Sequence, residues 1–301
     1  MLTGYRITFL PKSIVLTDMI ERDYLKVSHE DIAPELKESD EYKSYINDKK
    51  RIKENEKKDI SKQSIRKLSY AINTLYDMAE HKTVVNHISG KSFKFKLSFL
   101  TLTLPSEQGE HTDNRIKREC LNRFLIYSKR QFKLSSYVWK AEPQENGNIH
   151  FHITTDIYIE HQKLRDLWND CVSKLGFLDS FYAKFNHYSP NSTDIHAVHK
   201  TQDIDKYLAK YLSKTKGERR EIIGKKWNCS NNLSYEKRYR FVANGEDIDY
   251  FFRLSKVEKV KFINENFYSV IAFNDRNFYN KLPSQWKDKY KVHLEYLKNC
   301  C

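Results

Sequence analysis

The sequence predicts an α+β fold: a central antiparallel sheet with flanking helices, joined to a helical N-terminal region and a mixed C-terminal one. Three observations carry this expectation. Between about residues 93 and 214, strand-patterned and helix-patterned pieces follow in the order strand, helix, hairpin, helix, strand, helix. Asn146-Gly147 stands between two strand-like runs, a strong hairpin signal, and a hairpin pairs its strands antiparallel. The 17 Phe and 20 Tyr supply core-forming side chains even though apolar residues make up only 39% of the chain.

In order, residues 1–82 are expected to form a charged, mainly helical region, 83–233 the core, and 234–301 a basic aromatic region. Near the start, the patch Ile7-Thr8-Phe9-Leu10 is stopped by Pro11-Lys12, too soon for the apolar segment of a signal peptide. Residues 35–67 carry 19 charged side chains in 33 positions, eight acidic and 11 basic, with no Gly or Pro. They read as a solvated helix, as a linker, or as a helix that helps to hold DNA. Between Ser64 and Glu80, Ile65, Leu68, Ile72, Leu75 and Met78 recur at helical spacing. Gly90 separates strand-like pieces at 83–88 and 91–104, the second placing Phe93, Phe95, Leu97 and Phe99 on one face ahead of Thr101 and Thr103. A helix follows over 115–130, with Ile116, Cys120 and Phe124 on its apolar side. The hairpin strands span 137–142 and 149–157, and a helix over 162–175 ends at Gly176. A strand at 193–199 and a helix at 204–214 complete the core, and strand-like pieces at 250–254 and 267–273 lie beyond it.

Lys and Arg number 53 against 40 Asp and Glu, a net charge of +13 at a pI near 9.3, so a polyanion is the expected partner. No apolar stretch approaches the roughly 18 residues a membrane span needs, and a cytoplasmic protein with no membrane partner is expected. Five Cys, odd in number and with no C-x-x-C pair, argue against zinc fingers and against a disulfide framework.

The sharpest local feature is Ile149-His150-Phe151-His152-Ile153. In a strand, His150 and His152 share one face while the three apolar residues occupy the other, which makes a two-nitrogen clamp for a metal. Chance supplies about 0.4 such pairs in a chain of this composition, so two exposed strand histidines remain the plain alternative. Glu142 is the candidate third ligand, and parity decides whether it reaches. A two-residue turn at Asn146-Gly147 pairs Glu142 with Phe151, on the wrong face. A three-residue loop, for example Asn146-Gly147-Asn148, pairs it with His152, on the right one. Both loop types are common. Asp156 shares the parity of the histidines but lies further along, a weaker candidate.

A second feature is Tyr207-Leu208-Ala209-Lys210-Tyr211-Leu212-Ser213-Lys214, in which helical spacing puts Tyr207, Tyr211 and Lys214 on one face. Buried aromatics on a helix are the plain reading of that pair, as they are of Tyr235 and Tyr239. Gly90-Lys91-Ser92 lacks the earlier Gly of a phosphate-binding loop, so no ATPase module is supported.

Taken together, these motifs resemble the HUH endonuclease superfamily, and most closely its two-tyrosine rolling-circle replication initiators from microviruses and bacterial plasmids. The resemblance rests on the strand Phe99-Leu-Thr-Leu-Thr-Leu104, on Glu142 through His150-Phe-His152, on Tyr207 through Lys210-Tyr211, and on Trp227-Asn-Cys-Ser230. It covers residues 93–233. The first motif has no acidic residue or His, so its part here is structural. The resemblance implies an RRM-like catalytic fold that nicks single-stranded origin DNA and later religates it. It implies Mg²⁺ or Mn²⁺ held by His150, His152 and Glu142, with Tyr207 or Tyr211 as nucleophile and Lys210 stabilising the charge that develops. Lys214, Trp227 and Ser230 are then expected on the DNA, and a host helicase and DNA polymerase as partners in the bacterial cytoplasm.

Within the same superfamily, a relaxase or a two-tyrosine transposase would use the same residues, although the transposases usually carry an N-terminal zinc module and no Cys precedes Cys120 here. An iron(II) oxygenase also uses two His and a carboxylate, but leaves the tyrosines and the charge unexplained. A non-enzymatic single-stranded-DNA-binding protein is the third alternative, for which metal is irrelevant.

Overall fold

The computed structural model describes residues 4–19, 38–40, 43–44, 47, 60–85, 90, 92–198, 220–256, 260–265, 268–275 and 277–300. The helix expected at 204–214 lies outside them. The described chain is α+β, its sheets antiparallel, and it divides into two compact units.

The first unit joins residues 1–65 to 240–275. Its sheet contains β1 (Gly4–Leu10), β2 (Ser13–Met19), β10 (Tyr239–Ala243), β11 (Val260–Asn264) and β12 (Tyr268–Phe273), in the order β10-β1-β2-β12-β11. A mainly helical start to the chain is therefore corrected. Pro11-Lys12 does not end an isolated apolar patch; it turns a tight hairpin in which Leu10 pairs with Ser13. Ile7, Phe9, Ile14 and Leu16 are buried on alternate positions of the two strands, with Phe9 edge-on to Phe241 and Phe251. The strand expected at 250–254 is also corrected, because these residues finish the helix Gly245–Leu254. Asn244 and Asp247 form a reciprocal cap, and Ile248 and Phe251 face inward at helical spacing, which overrides the strand preference of a Tyr-Phe-Phe run.

The second unit joins residues 66–239 to 276–301 and carries the sheet β8-β5-β7-β6-β9, every neighbouring pair antiparallel. Its strands are β5 (Leu97–Leu102), β6 (Tyr137–Pro143), β7 (Ile149–Thr155), β8 (Thr193–Val198) and β9 (Trp227–Cys229), so β7 lies in the middle. The long strand expected over 91–104 breaks at Lys96 into β4 (Ser92–Phe95), which forms a hairpin with β3 (Lys82–Val85), and β5.

Both faces of this sheet are packed. On one, Leu100, Leu102, Trp139, Ala141, Ile149, Phe151 and Ile153 meet a helical layer made by Asp113–Ile116, a π-turn at Lys117–Leu121, Asn122–Phe132 and His161–Ser173. Trp168 is fully buried there, and its indole N–H donates to the Thr103 carbonyl at 2.6 Å. On the other face, Leu97 and Val138 pack under the helix Lys62–Met78, which buries Leu68, Ile72, Leu75 and Met78 as its spacing predicts. Ser61 caps that helix by accepting from the Ser64 N–H. Contacts thus unite distant segments, and the linear cuts expected at 82/83 and 233/234 do not coincide with this division.

Candidate metal centre

The pleat of β7 sends Ile149, Phe151 and Ile153 into the helical layer, where all three are fully buried. That burial fixes the strand's orientation and sends His150 and His152 together to the opposite face. Their ring centroids lie 4.6 Å apart.

The hairpin loop decides whether Glu142 joins them. The Gln144 N–H donates to the Asn148 carbonyl at 2.8 Å and the Gly147 N–H to the Gln144 carbonyl at 2.9 Å, so the loop proper is Glu145-Asn146-Gly147. Gly147 takes φ 85°, the left-handed conformation that closes a three-residue loop. The loop is odd, as the metal reading needs, but it lies one residue earlier than Asn146–Asn148. Glu142 therefore pairs with His150 instead of His152, a shift of two positions that keeps it on the same face.

The ligand atoms of Glu142, His150 and His152 all lie within 4.8 Å of one another. Glu142 Oε2 is 3.4 Å from His152 Nε2 and 3.8 Å from His150 Nε2. His152 Nδ1 meets Thr101 Oγ1 at 3.2 Å, a contact that leaves Nε2 pointing into the cluster. His150 Nε2 is buried without a hydrogen-bond partner. An orphaned imidazole nitrogen beside a second imidazole and a carboxylate is a donor set that fits a divalent cation.

A fourth side chain, Lys140, belongs to this cluster and was not singled out in the sequence. It is buried, it lies on the same face two residues before Glu142, and its Nζ is 2.5 Å from Glu142 Oε1. The carboxylate is thereby divided, with Oε1 on the ammonium and Oε2 toward the two rings. Burial opposes the charge of Glu142, but His150, His152 and Lys140 outweigh it and hold the carboxyl far below its ordinary range. The only hint in the sequence was parity with Glu142.

The hairpin tip is braced from outside. Asn148 accepts from the Gln108 N–H and donates to the Ser106 carbonyl, both at 2.8 Å, and Gln108 Oε1 accepts from the Ile149 N–H at 2.8 Å. Arg220 forks onto buried Asp113 with two 2.8 Å bonds and also donates to the Gly147 carbonyl. Burial works against the charge of Asp113, yet hydrogen bonds from Arg220, Gln108 and the Ile223 N–H hold its carboxyl below the usual value.

The other predicted site residues are dispersed. Trp227 is half-buried in β9, opposite Lys140 and against the core beneath the Lys62–Met78 helix. Ser230 is buried, and its hydroxyl accepts from the Tyr137 N–H and donates to the Tyr137 carbonyl, which makes it a clasp between β6 and the end of β9. Asp156 turns to Lys82 at 3.1 Å. Tyr235 packs edge-on to Tyr70, and Tyr239 stacks on His293. Tyr207, Lys210, Tyr211 and Lys214 lie outside the described residues.

No described helix is long and apolar enough to cross a membrane. Among curated proteins and among solved structures, nothing matches the chain. Residues 97–216, the stretch holding the central strands, Glu142, His150 and His152, are similar to the ORF2 family of replication-associated proteins, and this match supports a rolling-circle, Rep-type family.

Proposed function

We propose that the protein is a replication initiator that nicks one DNA strand at an origin and later reseals it. The observation that carries this reading is the Glu142–His150–His152 cluster on the middle strand of an antiparallel sheet, inside the stretch similar to replication-associated proteins. The resemblance to two-tyrosine HUH endonucleases supplies the rest. Mg²⁺ or Mn²⁺ held by Glu142, His150 and His152 would withdraw charge from the scissile phosphate.

The nucleophile is the phenol oxygen of Tyr207 or Tyr211. It attacks phosphorus and loses its proton to solvent, while the bond from phosphorus to the 3′ oxygen breaks and that oxygen takes up a proton. The products are a free 3′-hydroxyl, from which a host DNA polymerase extends, and a 5′-phosphotyrosine. Lys210 stabilises the charge that develops on the phenolate or the phosphoryl oxygens. The covalent link conserves the phosphodiester's energy, so resealing needs no ATP, and the second tyrosine lets one oxygen hold the strand while the other cuts. With no ATPase motif in the sequence, melting of duplex origin DNA falls to a host helicase. Lys and Arg contacts to phosphates, within a net charge of +13, hold the strand.

The test is incubation with labelled single-stranded origin DNA and Mn²⁺, followed by a denaturing gel. A metal-dependent covalent adduct is expected. Binding without any adduct, unaffected by a chelator, would instead support a non-enzymatic single-strand binder.

A further inference from the structure

Residues 181–188 read Phe-Tyr-Ala-Lys-Phe-Asn-His-Tyr, five rings in eight positions with no Leu, Ile, Val or Met among them. The helix Phe177–Phe185 carries the first three rings and buries only Phe177. Asn186, at φ 56°, ends that helix in the left-handed region and turns the chain back, so that His187 and Tyr188 return against it. Tyr182 and Tyr188 then stack with centroids 4.4 Å apart and planes within 12°. Phe181 packs on Phe185 at 4.6 Å and edge-on to His187 at 5.1 Å. Tyr182, Phe185 and Tyr188 nevertheless stay 40%, 50% and 54% exposed. A fixed cluster of rings left in water marks an interaction site.

We propose that this cluster is a stacking platform for the unpaired bases of a DNA strand that reaches the Glu142–His150–His152 centre. The proposal rests on the single-strand reading above and adds a second contact surface to it. Planar rings without aliphatic neighbours match the planar faces of bases, which stack on aromatics whatever their sequence. Lys184 Nζ lies 5.4 Å from the centroid of the Phe185 ring, a cation beside the rings where a phosphate would run, in a chain of net charge +13. The position also fits. Tyr188 lies six residues before Asp194, Asp194 pairs with Thr101, and Thr101 pairs with His152. Six residues and two strand spacings put the platform within about 30 Å of the centre.

The test compares Tyr182→Ser/Tyr188→Ser with Tyr182→Phe/Tyr188→Phe in the full chain. Anisotropy of a labelled single-stranded oligonucleotide and of its duplex is read in EDTA, where no nicking contributes. The Ser pair is expected to lose about 5- to 100-fold in affinity for the single strand and little for the duplex. The Phe pair, which keeps both rings, should bind like the wild type. Unchanged single-strand binding by the Ser pair, equal losses on both DNAs, or a matching loss in the Phe pair would overturn the proposal. So would a wild-type dimer that the Ser pair dissolves, since the patch would then join two copies. A wild type that forms no adduct with Mn²⁺ while the Ser pair still loses affinity defeats the nicking reading and leaves the platform standing.

Discussion

Glu142 and His150 face each other directly across the β6–β7 pair, and Glu142 Oε2 lies 3.8 Å from His150 Nε2. With His152 two positions further along the same strand, the cluster is the product of one hairpin. Its geometry depends on a loop of odd length and on nothing remote in sequence.

Removing the imidazoles should separate chemistry from binding. His150→Ala/His152→Ala is expected to weaken Mn²⁺ binding, read by calorimetry, by at least about 100-fold. The covalent adduct should disappear while affinity for single-stranded DNA stays near wild type, because the phosphates are held elsewhere. Parallel losses of binding and cleavage would contradict the metal role.

Lys140→Met should be most visible without metal. Its ammonium pairs with Glu142, so its loss leaves a buried carboxylate facing only two rings. A loss of roughly 1–3 kcal/mol is expected, less than for a wholly abandoned buried charge because His150 and His152 remain. Added Mn²⁺ should raise the melting temperature of this variant more than that of the wild type, since the ion then supplies the only other neutralising charge.

The tyrosines should act as a pair. Tyr207→Phe or Tyr211→Phe alone is expected to leave some nicking of an oligonucleotide, with Tyr211 the more active in the first cut. The double variant should form no adduct. Either single variant should fail to release a closed single-stranded circle in a replication assay, and efficient release would leave a one-tyrosine enzyme.

Asp113 should carry an acid-dependent part of the stability. Its carboxyl titrates lower in the folded chain than in the unfolded one, so its contribution is complete above the unfolded value, about pH 4. That contribution is lost as pH falls through the lowered folded value. Asp113→Asn should cost roughly 2–3 kcal/mol at neutral pH and flatten the acid limb of a denaturation series.

Gly147→Ala adds a methyl group that meets nothing within 4 Å, so its only cost is the positive φ. About 1 kcal/mol is expected in urea denaturation, with Asn tolerated better than Ala. A much larger cost would mean that the loop adopts some other turn.

Much of this arrangement was legible in local pattern. Alternation along 149–153 placed both histidines on one face, and the Asn-Gly signal located the hairpin, because each depends only on neighbours a few residues apart. The helices over Lys62–Met78 and His161–Ser173 were equally plain from spacing. The face of Glu142 was left between two loop lengths. Only the hydrogen bonds closing Gln144 on Asn148 chose the odd one.

Other features are properties of pairing between distant segments, and no local pattern contains them. The hairpin at Pro11-Lys12 became part of a five-stranded sheet because strands some 250 residues later lie beside it. Ser230, read as a DNA contact, spends its hydroxyl on the Tyr137 backbone, and Arg220 finds Asp113 across 107 positions. Lys140 joined the metal cluster only when the pairing of β6 with β7 set its ammonium beside Glu142. By itself, then, the sequence determined which residue types share a strand face or a helix face, since the backbone's own periodicity dictates that. The tertiary structure decided which faces meet, because pairing and burial are chosen by the free energy of the whole packed unit and not by any one segment.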